Sequence, residues 1–521
     1  MNTKLLREKI LDLAVKGKLV EQDEKDESAK VLLKKIKIER DRLAEEKRVR
    51  KEDFSEIYQD ETDKHYYEKF ENGEIVNITK EIPFEIPNNW CWTRLDCVGE
   101  IIGGGTPKTE IIENWINGDI PWITPADMRS IVGKYISRGE RNITQKGLAS
   151  SSAKLFPKGS IIYSSRAPIG YIAITNNELC TNQGFRSVSL YIANINLYIY
   201  YTLIQRTTEI KSRASGTTFK EISGSEFGKT LIPLPPLKEQ QCIVEKTEEL
   251  FSIIDKLEKE KVDYDKNIET LNCKVLDLAI RGKLIRQCAT DESVEKLLEK
   301  IKIERDKLVE EKKIKKEKWS EIYQDSTDKQ FYEKFENGET KIITDEIPFE
   351  IPNSWKWVRL RNITKLITDG THKTPNYVEN GIPFLSVQNI SSGKFDFTKI
   401  KYVSKEEHLK LSKRVSPQKN DILFCRIGTL GKALKIDIDL IFDIFVSLGL
   451  IRLIDVNLTD YIVFLINSSF GKKWIDDNKV GGGTHTNKIN LNSLPGFLIP
   501  LPSQKEQKRI TKKIEQILNA T

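Results

Sequence analysis

LDLAVKGKL at residues 11–19 returns as LDLAIRGKL at residues 276–284, 265 positions later. A single long-period repeat of this kind signals two copies of one structural unit rather than a stacked array. The copying extends beyond the nonapeptide. SEIYQDETDKHYYEKFENGE (55–74) matches SEIYQDSTDKQFYEKFENGE (320–339) at 17 of 20 positions, and EIPFEIPNNWCWTRL (81–95) matches EIPFEIPNSWKWVRL (346–360) at 12 of 15. IPLP at 232–235 returns at 499–502, with the offset now 267. Between these anchors, 103–229 and 368–497 diverge and keep only skeletal features. Each has an early Gly-Thr (Gly105-Thr106, Gly370-Thr371) and an Ile-Pro-aromatic step (Ile120-Pro121-Trp122, Ile382-Pro383-Phe384). Each also has an arginine before a glycine turn (Arg166 and Gly170, Arg426 and Gly428) and a late Gly-Thr (Gly216-Thr217, Gly483-Thr484). Drift confined to two corresponding regions of a retained frame points to two binding surfaces with different targets.

Residues 238–281 contain neither proline nor glycine and follow a heptad seam: Ile243, Thr247, Leu250, Ile254, Leu257, Lys261, Tyr264, Ile268, Leu271, Val275 and Leu278. Such a helix runs about 66 Å, and Gly282 suits the left-handed position that ends it. Its second copy is split between the chain ends. Leu271, Val275 and Leu278 correspond to Leu6, Ile10 and Leu13, while Ile243, Thr247 and Leu250 correspond to Ile510, Ile514 and Ile517. The terminal helices are therefore expected to meet and pack against the central one. The alternative, an amphipathic core helix of one large domain, leaves the split copy unexplained. Residues 30–51 and 295–318 form a second, highly charged helical pair. It reads either as a solvated helix supported by i,i+4 charge pairs or as an arm that docks another subunit.

At 521 residues the chain exceeds one ordinary core. Its net charge of +7 is unevenly placed. Residues 100–235 carry 15 Lys+Arg against 10 Asp+Glu, and residues 362–502 carry 18 against 13. Each region is thus +5 and the remainder is 7 − 10 = −3. A chain gripping a polyanion at two places needs this distribution. Charged residues among the first ten leave no apolar leader core, and the longest apolar runs, such as 461–466, are too short to span a bilayer. Seven scattered cysteines without a CxxC pair argue for a reducing cytoplasm, and against a zinc site or disulfide framework.

The motifs of catalysis are missing. Residues 428–432 (GTLGK) have the wrong spacing for a phosphate loop. Pro235-Pro236 lies between two leucines, not in the Asn/Asp-Pro-Pro-aromatic setting of amino-methyltransferases. The four histidines (His65, His372, His408, His485) have no metal-ligand spacing. No catalytic, metal or cofactor site is expected. The candidates are binding loops. GGGTPKT (103–109), with Thr106 and Lys108, is either a phosphate cradle of backbone N–H groups or a flexible turn between strands. The same choice applies to GTTFK (216–220), with Thr217, Thr218 and Lys220, and to GGGTHTNK (481–488), with His485, Thr486, Asn487 and Lys488. Arg166 and Arg426 are candidates for bidentate guanine contacts, phosphate contacts or salt bridges. Arg129 and Arg186 complete the first set; Thr371, His372, Lys373, Gln388, Asn389, Thr429 and Lys432 complete the second.

The duplicated helix end, the IPxxWxWxxL entries and the IPLPPLxEQ exit resemble the specificity subunit of type I restriction–modification systems, from Leu5 to Ile517. The second exit departs slightly, with Ser503-Gln504 before Lys505-Glu506-Gln507. The resemblance implies two target recognition domains, each reading one half of a bipartite asymmetric site, with helices as a ruler for the gap. It implies double-stranded DNA as ligand and two modification subunits as partners, which bind S-adenosylmethionine and methylate adenine N6. Restriction subunits using ATP and Mg join that core. The fold so expected is α+β: two recognition domains joined by long antiparallel coiled-coil helices, in a circular pseudo-two-fold arrangement. Its segments are 1–83 (N-terminal helix and charged arm), 84–236 (recognition domain 1), 237–282 (central helix), 283–346 (second arm), 347–503 (recognition domain 2) and 504–521 (C-terminal helix). Each domain is expected to hold three to five strands. A rival reading is a coiled-coil tether presenting two protein-binding domains.

Overall fold

The helix-favouring stretch free of proline and glycine forms one α-helix, Leu237–Ile280. The computed structural model describes residues 2–23, 25–50, 54–216, 220–316, 318–481 and 487–520. They divide into two units, residues 1–261 and 262–521, each with its own core.

In the first unit, helix Thr3–Val15 starts at Asn2, whose side chain accepts from the Leu5 amide at 3.1 Å. It ends at Gly17, φ +64°, where a Cβ would lie 2.5 Å from Pro87 Cγ. Glycine is required there twice over, for the left-handed backbone and for the close approach of the Ile-Pro entry motif. The charged helix Ala29–Glu45 buries Ala29, Leu32, Leu33, Ile36 and Arg40. One of its faces is therefore packed, and the reading of a helix solvated all round fails. It is followed by an antiparallel meander, Ser55–Gln59, Tyr66–Phe70 and Ile75–Asn77, within the segment assigned to the charged arm. The entry and exit motifs are hydrogen-bonded partners. Strand Cys91–Arg94 pairs antiparallel with Leu231–Leu234 and closes the base of the divergent region.

That region holds a five-stranded sheet in the order Gly99–Gly103, Arg186–Leu190, Ile161–Tyr163, Ile172–Thr175, Tyr135–Ile136. A three-stranded sheet, Cys180–Thr181, Ile120–Ile123, Arg141–Ile143, lies beside it in sequence. Helix Asn196–Ser212 anchors the domain to its base, since the buried Tyr198 hydroxyl donates to the Pro233 carbonyl at 2.5 Å. Trp90 meets the Tyr198 ring edge-on at 6.4 Å.

The second unit repeats this plan. Helix Val294–Glu310 precedes the meander Ser320–Gln324, Phe331–Phe335, Thr340–Ile342. Strand Lys356–Arg359 pairs with Leu498–Leu501. One sheet runs Thr364–Asp369, Leu448–Leu453, Ile422–Cys425, Ala433–Lys435; the other runs Tyr377–Val378, Lys401–Val403, Ile382–Leu385, Asp443–Ile444. Tyr461 donates to the Pro500 carbonyl at 2.5 Å, as Tyr198 does to Pro233. The counterpart of helix Asn196–Ser212 is two helices, Thr459–Asn467 and Ser469–Asn478, divided at Ser468, whose hydroxyl accepts from the Gly471 amide. Each divergent region has eight strands among its described residues before these helices, not three to five. Several are two or three residues long, too short to show a period of two in sequence.

The central helix is packed at its ends. Ile243, Val244, Thr247 and Ile254 are buried in the first unit, and Val275, Leu276, Ala279 and Ile280 in the second. The seam positions Leu257, Tyr264, Leu271 and Leu278 are exposed. In the first unit Arg7 of the N-terminal helix pairs with Asp255 at 2.6 Å and covers the Phe251 ring at 5.1 Å. In the second, Ile510 and Ile514 of the terminal helix Gln504–Ala520 are fully buried.

Candidate nucleic-acid interface

In the first domain the chosen loops gather at one end of the large sheet, though not as the glycines suggested. A Cβ on Gly104 would lie 2.0 Å from the Asn182 carbonyl, and one on Gly105 2.2 Å from the Ala153 amide. Trp122 Nε1 donates to the Gly105 carbonyl at 2.9 Å. These glycines let two backbones touch; they are neither a loose turn nor an open cradle. Their packing sets Thr106 beside Gln183, to which its hydroxyl donates. Arg186 donates to the Phe185 and Gln183 carbonyls at 2.8 and 3.2 Å and pairs with Glu221 at 3.1 Å. Arg166 reaches the other Glu221 oxygen at 3.6 Å. The Ile222 amide donates to the Ser165 carbonyl at 3.1 Å, tying the two segments. Lys220, next to Glu221, is exposed. Thr217 and Thr218 lie outside the described residues. Lys108 is exposed, and its carbonyl accepts from Asn114 Nδ2 and Trp115 Nε1 at 3.1 and 3.2 Å. Arg129 is exposed on a separate turn, Asp127–Ser130.

The second domain uses the same end of its sheet with different chemistry. Asp369 closes the first strand and is 2% exposed. It takes Arg426 Nη1 at 2.7 Å, His372 Nε2 at 3.1 Å, and Arg414 Nη2. Thr371 donates its amide to the Ile444 carbonyl and accepts from the Val446 amide at its own, at 3.0 and 2.9 Å. Ile489 donates its amide to the Arg426 carbonyl at 3.0 Å, which brings the exposed Lys488 and half-buried Asn487 alongside. His372 and Lys373 are exposed; His485 and Thr486 lie outside the described residues.

Two candidates here face inward. The Arg426 side chain is 12% exposed, and its Nε also donates to the Ile489 carbonyl at 3.1 Å. Asn389 is buried and caps its own turn: Oδ1 accepts from the Ser386 amide and Nδ2 donates to the Asp396 carbonyl, both at 2.9 Å. Both shape their loops through these bonds: Nε and Nη1 of Arg426 and both ends of the Asn389 amide are engaged within the fold. Gln388, at the same turn, is exposed, and the Val387 amide ties that turn to Ser447 at 3.1 Å. Thr429 is exposed and Lys432 half-buried. A Cβ on Gly393 would lie 2.8 Å from Lys432 Cε, so this lysine runs against the 386–396 turn.

Sequence reading missed Gln183, Glu221, Asp369 and Arg414. Only Asp369 carried a signal, standing just before the shared Gly-Thr; Arg414 is lost in the basic run KLSKR. Among the described residues no three His, Cys, Asp or Glu side chains come together as a metal-holding group. No described helix is long and apolar enough to cross a membrane.

The family described as the Type I restriction modification DNA specificity domain matches residues 87–263 and 352–521, which include both divergent regions with their entries and exits. The chain belongs to this family. It is 34% identical over 314 residues to the type I restriction enzyme MjaIX specificity subunit of Methanocaldococcus jannaschii, covering 59% of this chain and 60% of that protein. It thus spans less than two thirds of that relative's length. It is 24% identical over 573 residues to the EcoAI specificity subunit of Escherichia coli, covering 99% and 89%. Among solved structures, a chain from a study of assembly and conformational transition in the type I R-M system shares the fold. It has a TM-score of 0.55 at 18% identity, covering 84% of this chain and 92% of that one. Both specificity domains of the present chain are therefore α+β units of this family.

Proposed function

We propose that this chain is the non-catalytic DNA-reading subunit of a type I restriction–modification complex, each specificity domain recognising one half of a bipartite duplex site. The observation that carries this reading is one four-stranded sheet core present twice in the same strand order, with unlike polar groups at the same sheet end: Thr106, Gln183, Arg186 and Glu221 in one, Asp369, His372, Arg414 and Gln388 in the other. Exposed cations on these domains (Lys108, Arg129, Lys220; Lys373, Lys488) suit phosphates, which fix position without carrying sequence. Base edges are then read by the polar groups between them. Methyl transfer from S-adenosylmethionine to adenine N6 falls to two modification subunits, and ATP- and Mg-dependent translocation and cleavage to restriction subunits. The charged helices support a docking role, because Ile38 and Ile303, equivalent in the two arms, are 69% and 64% exposed. A pair of equivalent arms suits two copies of one partner.

The central helix is the ruler in this reading. Removing seven residues from its middle shortens it by about 10 Å and moves the preferred gap by roughly three base pairs. Methylated sites are mapped across the genome of a cell expressing the shortened chain with its modification subunit. An unchanged gap rejects the ruler, and the absence of any bipartite motif with the intact chain rejects the function.

A further inference from the structure

Asp369 is a single buried carboxylate that meets two guanidinium groups. Its charge balances one of them, so the cluster keeps a positive charge whatever the state of His372. The two arginines are not equivalent. Arg426 occupies the inner place at 12% exposure, while the Arg414 side chain is 49% exposed. Arg414 is nonetheless held firmly. Its Nε donates to the Gly370 carbonyl at 3.1 Å and lies 3.3 Å from that of Asp369, and its Nη2 donates to the Asp369 carboxylate. His372 Nε2, also on Asp369, stands 3.3 Å from the same Nη2. A guanidinium offers five N–H donors. Fixing the Nε–Nη2 side leaves the Nη1 donors at an exposed end of the fork.

We infer that Arg414 is a guanine-reading residue of the second specificity domain and that Asp369 is its positioning residue; this rests on the DNA-reading function proposed above. A guanidinium fork presented end-on matches the O6 and N7 acceptors of guanine in the major groove. One whose rotamer is set before binding discriminates by geometry, because little side-chain freedom remains to accommodate another base. The exposed Lys373 and Lys488 are not so anchored and serve as phosphate contacts. The first domain has an analogous device on a different element. Glu221 holds Arg186 and Arg166 from the segment after the domain's long helix, whereas Asp369 ends the first strand of its sheet. A carboxylate presenting arginines thus occurs twice with different placement, as two unlike half-sites require.

The test is selection of binding sites from a randomised duplex pool by the full chain assembled with its modification subunit, comparing R414A and R414K with the unmodified protein. Arg414 is half exposed and the Arg426–Asp369 pair survives its loss, so both variants fold. Both lose preference for one G·C pair in one half-site by roughly ten-fold or more, with the other half-site unchanged and the salt dependence of R414K retained. D369N blurs the same position; if circular dichroism shows that it does not fold, R414K decides alone. Retention of the G·C preference by R414A, or a uniform loss of affinity across all sequences, makes Arg414 a phosphate contact and overturns the inference; retention by R414K alone shows that any cation suffices there and overturns the role of the fixed fork. If the unmodified complex selects no bipartite site, the proposed function fails and this inference with it. If it selects one and R414A leaves both halves intact, the inference alone fails.

Discussion

Arg94 and Arg359 stand in nearly superimposable surroundings, while the arginines at the far ends of the same two domains do not. In the first unit Arg94 reaches Glu68 at 2.7 Å, Glu81 at 2.9 Å and the Lys229 carbonyl at 2.8 Å. In the second, Arg359 reaches Glu333 at 2.8 Å, Glu346 at 2.7 Å and the Gly496 carbonyl at 2.8 Å. Each network joins the meander to the entry and exit strands. At the distal ends, Glu221 holds two arginines in one domain, and Asp369 holds two arginines and a histidine in the other. The base of each domain repeats the same arginine and its two glutamates because it has one mechanical task. The tip is free to differ because only the ligand constrains it.

The sharpest way to break this parallel is at the base. R94A leaves Glu68, 4% exposed, without its guanidinium, and is expected to cost about 3–5 kcal/mol of first-unit stability. R359A costs less, because Arg361 also bonds Glu333 and keeps a cation on it. In the intact protein, burial alone raises the Glu333 carboxyl, but bonds and charge from Arg359, Ser320 and Arg361 outweigh it and hold it below its usual range. Chemical denaturation followed by hydrogen exchange in each unit measures both variants, and equal losses remove the distinction drawn from Arg361. Next in size are G17A and G282A. Both residues are left-handed, at φ +64° and +66°, and a Cβ would lie 2.5 and 2.4 Å from Pro87 and Pro352. Each should lose about 1–3 kcal/mol, seen as matched shifts in thermal midpoint. Y198F and Y461F each remove one buried hydrogen bond, worth about 1 kcal/mol. Unequal values in denaturant titrations would show that the two domains sit differently on their bases.

The smallest effect is a pH slope. Burial raises the carboxyls of Glu239 and Glu506, partly offset at Glu239 by the bond that Trp90 Nε1 donates at 2.9 Å. A raised acid binds more protons folded than unfolded, so its contribution to stability grows as pH falls towards its folded value and shrinks as pH rises. E239Q and E506Q are therefore expected to flatten the change in stability between pH 7 and pH 5 by similar amounts. Unchanged slopes would show that these two carboxyls titrate alike folded and unfolded.

Much of the base was legible. The heptad positions Ile243, Ile254 and Val275 are buried, Gly282 ends its helix, and IPLP marks the exit strand. The meanders at 55–77 and 320–342 were not read, since charged residues dominate their outer faces. The tips were legible as regions only. Thr106, Arg166 and Arg186 do converge in one domain, and Thr371, His372 and Lys488 in the other. Which arginine faces outward was hidden. Arg426, singled out beside its glycine turn, points inward, while Arg414, unnoticed, stays half exposed.

Sequence alone determined the duplication, the helices and the boundaries between copied and diverged segments, because apolar periodicity and repeated motifs are local and survive as text. Only the tertiary structure decided which carboxylate gathers which cations. Asp369 and Arg414 lie 45 residues apart, and Arg186 and Glu221 lie 35 apart. Their meeting depends on sheet order and loop packing, which no local pattern encodes.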